Sequence, residues 1–105
     1  MPILAEASGA AVRLRVSGDM TIYEAAELKG ELLQAVVGHP EIELDLSEVG
    51  ELDTAGFQLL VLAKREAAKA GAALRLAGRS DPVQEVLALY HMESYFGDSV
   101  VLPAG

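Results

Sequence analysis

Leu44-Asp45-Leu46-Ser47-Glu48-Val49-Gly50-Glu51-Leu52-Asp53-Thr54-Ala55-Gly56-Phe57 decides how this chain folds. It reads as a strand, then a turn, then the first turn of a helix that continues into Leu59, Leu60, Val61 and Leu62. Thr54 falls where the helix begins, between an acidic residue and a small Ala-Gly pair. A helix start carries unpaired N–H groups and the positive end of the dipole, so it favours negative charge and suits a phosphate.

Upstream of this stretch, Ile42, Leu44 and Leu46 alternate with Glu41, Glu43 and Asp45, the period of two of a strand with one dry and one wet face. Downstream, a helix is expected from about Thr54 to Ala70, ended by Gly71 in a left-handed cap. Leu74 and Leu76 flank Arg75 in a second alternating strand, so two parallel strands bracket the helix. Asp81-Pro82-Val83-Gln84 then places a capping acid before a proline, and Val83, Val86, Leu87 and Tyr90 form an apolar stripe. Ser99 to Leu102 reads as a short edge strand.

Towards the N-terminus, Ile3 to Ala7 and Ala11 to Ser17 read as a hairpin turned at Ser8-Gly9. Thr21-Ile22-Tyr23-Glu24 matches a capping box and predicts a helix start. Ile22, Ala25, Ala26, Leu32, Leu33 and Val36 supply that helix's apolar stripe, which should end near Gly38-His39-Pro40. Arg13 and Arg15 alternate with Val12, Leu14 and Val16. If these strands are neighbours, arginines on the flanking strands face Glu43 and Asp45 on the middle one, in cross-strand pairs worth about 0.2–1 kcal/mol each. All apolar faces then point one way. The expected fold is an α/β two-layer sandwich, a mixed sheet of four to five strands with the helices packed on one face.

Composition narrows the function classes. A chain of 105 residues, about half of them apolar, is long enough for one core, so a single domain over residues 1–105 is expected. Cysteine is absent, which removes disulfides and thiolate chemistry. Sixteen acidic residues against eight basic ones leave a formal charge of −8, unfavourable for nucleic acid and for anionic lipid. No stretch approaches the roughly 20 apolar residues of a membrane helix, and the start lacks a leader pattern. A soluble, cytoplasmic protein without direct membrane insertion is expected. His39 and His91 stand far apart and make a poor metal site. Phosphate-loop, nucleophile-elbow and zinc-hydrolase motifs are missing, so no cofactor is implied and an enzyme is the least favoured reading.

Three pieces together resemble the STAS domain family, the fold of bacterial anti-sigma factor antagonists. They are Leu14-Arg15-Val16-Ser17-Gly18-Asp19-Met20-Thr21, the Leu44–Val49 strand with Asp53-Thr54-Ala55-Gly56, and Gly71-Ala72-Ala73-Leu74-Arg75-Leu76-Ala77-Gly78. The resemblance covers nearly the whole chain, and the middle piece is its most specific part. It implies a non-catalytic binding module in which Thr54, after the motif aspartate, is the phosphate acceptor and the switch. Many members carry serine there, and a second serine often stands where this chain has Ala55. The implied partner is an anti-sigma-type, ATP-binding serine/threonine kinase. The alternative partner is the ATPase subunit of an ATP-driven lipid transporter, whose small STAS accessory subunit also has Asp-Thr before a small residue and glycine. A switch role in another signalling pathway is a third use of the same fold.

The partner-binding candidates are Asp19, Met20, Thr21, Asp53, Thr54, Ala55 and Phe57. Three of them have a plainer use. Thr54 can simply cap the helix, Phe57 can pack in the core, and Met20 can be an ordinary loop residue instead of an adaptable contact.

Overall fold

The computed structural model describes residues 3–9, 11–92 and 94–96. Its elements run β1 (Ile3–Ser8), β2 (Ala11–Met20), α1 (Ala25–Ala35), β3 (Glu41–Leu52), α2 (Thr54–Lys69), β4 (Ala73–Arg79), α3 (Asp81–Leu89) and a 3-10 turn (Ser94–Phe96). The four strands form one sheet in the order β1-β2-β3-β4. β1 pairs antiparallel with β2 through Gly9, whose φ of +63° suits a tight turn. β2, β3 and β4 are parallel, as the intervening helices require.

The alternation in each strand becomes two faces. Val12, Leu14, Val16, Ile42, Leu44, Leu46, Leu74 and Leu76 are buried, and they join residues of all three helices in one core cluster. The helices contribute Leu28 and Leu32, Leu59, Leu60, Ala63 and Ala67, and Val83 and Leu87. This is the two-layer α/β arrangement. On the other face Arg13 registers with Glu43, Arg15 with Asp45, and Glu43 with Arg75. The expected ion pairs form: Arg13 and Arg15 lie 3.5 and 3.4 Å from Asp45, and Arg75 lies 3.2 Å from Glu43.

Asp45 is the exception on that face, because it is buried. A register shift between Leu44 and Asp45 accompanies it. Its carboxylate accepts the Ser47 N–H at 3.0 Å and lies over Gly78, where a Cβ would stand 2.5 Å from it. Burial alone would raise its pKa. The Ser47 N–H and hydroxyl, with Arg13 and Arg15, outweigh burial and hold it below the usual carboxylate range.

Several element boundaries differ from the sequence reading. β3 continues to Leu52, well past the Ile42–Leu46 alternation, and pairs with β2 through two register shifts as far as Met20 and Leu52. α1 begins at Ala25 rather than at a Thr21 capping box. The Thr21 hydroxyl donates to the Glu24 carboxylate itself, at 2.5 Å, so no side chain caps the helix. The apolar stripe of α1 therefore runs through Leu28, Leu32 and Val36, while Ile22 and Ala26 are exposed. Ser80 is the N-cap residue of α3, one position before the acid expected to cap it. The strand expected over Ser99 to Leu102 lies outside the described residues.

Candidate functional site

The site is built where β2 and β3 end and α1 and α2 begin. Asp53 organises it. As N-cap of α2 its carboxylate accepts the Gly56 N–H at 3.0 Å, and its other oxygen accepts the Ile22 N–H at 2.9 Å from the β2–α1 connection. Its own N–H donates to the Met20 carbonyl at 3.3 Å, and its carbonyl accepts from Phe57. The Gly56 N–H, and after it the Ile22 N–H, hold the Asp53 carboxyl below the usual range, so it is a carboxylate at neutral pH.

Because Asp53 caps the helix, Thr54 is left free of that task. It is the first helical residue and it is exposed. No hydrogen bond of its hydroxyl to another described residue is present. Asp19 is exposed, but it lies in the last residues of β2 and not in the loop expected to enter α1, because β2 runs on to Met20; its carboxylate lies against Gly50 of β3. Thr21 is buried and bound to Glu24. Ala55 is half-buried in an open groove of about 260 Å³ between α1 and α2, with Ala25, Ala26 and Leu59. On the other side, Thr21, Glu51, Asp53 and Glu85 line a second recess of about 280 Å³.

Two expected contacts move. Met20 is fully buried as the last residue of β2, so its side chain belongs to the core and offers no adaptable contact; the correction follows from β2 running on to pair with Leu52. Phe57 is half-buried against the core and stacks on Tyr90, with ring centroids 4.6 Å apart and planes 17° apart. It presents only part of its ring to solvent. Two side chains that the sequence does not single out as contacts are bare at this end: Ile22, whose N–H binds Asp53, is 66 % exposed and its neighbour Tyr23 is 90 % exposed. Their place in a capping-box pattern concealed them.

Chemically the site is an exposed threonine at the positive end of a 16-residue helix, next to the Asp53 carboxylate that caps it. The dipole favours a phosphate on Thr54 by about 0.3–1 kcal/mol, and the charge on Asp53 opposes it.

Comparison with known proteins agrees with this architecture. A family profile described as "Mlab, STAS domain" matches residues 3–102. Among solved structures, an anti-sigma factor antagonist from Mycobacterium paratuberculosis superposes with a TM-score of 0.76 at 21% identity, covering 97% of this chain and 82% of that one. The anti-sigma factor antagonist SpoIIAA in its unphosphorylated form gives a TM-score of 0.72 at 14% identity, over 98% of this chain and 87% of that one. The Bacillus cell fate determinant SpoIIAA in its phosphorylated form gives 0.67 at 13% identity, over 98% and 90%. At these identities the structures speak for the fold, while the profile spans nearly all of the sequence. The chain belongs to the STAS domain family.

Proposed function

We propose that this chain is a non-catalytic regulatory module, like the anti-sigma factor antagonists, whose docking to an anti-sigma-type ATP-binding kinase is switched by phosphorylation of Thr54. The observation that carries this reading is the division of labour at the start of α2. Asp53 does the capping, so the Thr54 hydroxyl is exposed and chemically available. Asp19, Asp53, Ala55 and Phe57 frame it as the docking surface, with Thr21 buried beneath them and bound to Glu24. That SpoIIAA was solved both unphosphorylated and phosphorylated supports the same use of the fold.

Unmodified Thr54 is the docking state. A partner packed against it would have to desolvate a dianion once phosphate is added, and a mismatched buried charge is costly. The fold itself should tolerate the modification. Thr54→Asp and the true phosphoprotein are expected to shift unfolding free energy by less than about 1 kcal/mol while weakening the partner at least about tenfold, or 1.4 kcal/mol. Labelling with the kinase and ATP, mass spectrometry of Thr54, and titration of both forms against the kinase test this. Label that persists in Thr54→Ala, or equal affinities of the two forms, would overturn it.

The profile's name, Mlab, differs from that of an anti-sigma factor antagonist, and it favours a second reading. In that reading the chain is the accessory subunit of an ATP-driven lipid transporter, and Thr54 is a contact residue only. Co-purification with a transporter ATPase, without phosphate on Thr54, is its signature.

A further inference from the structure

The β2–α1 connection carries two apolar side chains that the core does not take. Tyr23, at 90 %, is the most exposed large hydrophobic residue among the described ones, and its neighbour Ile22 is 66 % exposed. Single apolar residues on a surface are ordinary, whereas here two consecutive ones stand bare on a connection held by Asp53. The turn presenting them is fastened at several points. The Ile22 N–H donates to Asp53, the Thr21 hydroxyl donates to Glu24, and the Glu24 N–H donates to the Thr21 carbonyl at 3.0 Å. A large aromatic held on a fixed turn loses little conformational freedom when it docks.

The charge around the patch has one dominant sign. Asp19 and Glu51 at the ends of β2 and β3, with Glu24, Asp53 and Glu85, meet at this end, and Lys29 lies in the groove beside Ala55. We propose that Ile22 and Tyr23 are the apolar anchor of the surface at the Thr54 end, and that they seat in an apolar pocket rimmed by lysine and arginine on a partner protein. This rests on the reading that the Thr54 end docks a protein, not on which protein that is. A second copy fits poorly, because it brings the same acidic turns, and its Arg13, Arg15 and Arg75 face Glu43 and Asp45. An anionic membrane is repelled by the same rim. With a cationic rim opposite, phosphate on Thr54 speeds encounter at long range but obstructs the seated contact, so the switch is read in dissociation.

Position 23 replaced by a photo-crosslinking amino acid in cells, with the exposed Leu4 and Leu89 positions as controls, identifies the occupant. The cross-linked protein is then purified and titrated against wild type, Tyr23→Ala and Leu89→Ala. Tyr23 contacts so little that its removal leaves the fold intact. The expected results are an adduct specific to position 23 and an affinity lowered about 10–100-fold by Tyr23→Ala, mostly through faster dissociation. Leu89→Ala should change affinity less than about threefold, and association should slow as salt rises from about 50 to about 500 mM. An adduct with a second copy, no adduct beyond the controls, an affinity that Tyr23→Ala leaves within about threefold, or association indifferent to salt would each overturn the anchor. Failure of the Thr54 switch looks different: phosphothreonine leaves the affinity unchanged while Tyr23→Ala still lowers it.

Discussion

Gly56→Ala is expected to destabilise the protein by about 2–4 kcal/mol, although helix propensity alone favours alanine over glycine by about 1 kcal/mol. The sign is decided by space. Gly56 is buried in the first turn of α2, and a Cβ there would overlap the Met20 carbonyl oxygen and stand 2.7 Å from Leu52 Cδ1 and 2.9 Å from the Met20 carbonyl carbon. The Met20 backbone cannot step aside cheaply. Its carbonyl also accepts the Asp53 N–H, and Met20 is paired with Leu52 at the end of the sheet. The helix start must therefore lift off the strand, which loosens the Asp53 cap. Gly30 supplies the control. It lies inside α1 with nothing within 4 Å of a built Cβ, so Gly30→Ala should stabilise by about 0.5–1 kcal/mol. Urea unfolding of the two variants should move in opposite directions; a Gly56→Ala variant as stable as wild type would show that α2 does not start against Met20.

Asp45→Ala should cost about 2–3 kcal/mol at neutral pH, because it removes a charged acceptor and leaves the Ser47 N–H without its partner. Arg13 and Arg15 are nearly half exposed and recover water, which keeps the loss below that of a fully buried pair. The pH dependence separates the charge from the shape. Asp45 has its pKa lowered in the folded state from an ordinary value of 3.8, so the unfolded chain takes up a proton first. Its contribution is complete above the unfolded value and is lost as pH falls through the folded one. Wild type should therefore lose stability below about pH 4, and Asp45→Asn should start lower at neutral pH and fall less steeply with acid. Asp53 adds to the same acid loss, because its folded pKa is lowered as well. If the two proteins show parallel acid limbs, the Asp45 charge is not what the fold uses.

Much of this architecture was legible because it repeats locally. The alternation Val12-Arg13-Leu14-Arg15 and Ile42-Glu43-Leu44-Asp45 fixes which face of each strand is dry, and burying all the dry faces under one helical layer aligns the arginines with the carboxylates. The helix after Asp53 was legible for the same reason, since Thr54, small residues and an apolar run stand next to one another in the chain. Gly9 and Gly71, with φ of +63° and +82°, likewise announce turns that only their own backbone has to make.

The chain by itself determined the sheet faces and the place of Thr54, because each follows from neighbours within a few residues, while the structure decided that Asp53 and not Thr54 caps α2. Only the tertiary structure decided that α1 starts late, that Met20 is core, that Ile22 and Tyr23 are bare, and that Gly56 admits no side chain. Each of these comes from β2 meeting the start of α2, through the Asp53 bond to Ile22, 31 residues away, and the Met20 carbonyl above Gly56. A contact across such a separation leaves no period in the sequence, so it becomes visible only when the two segments lie side by side.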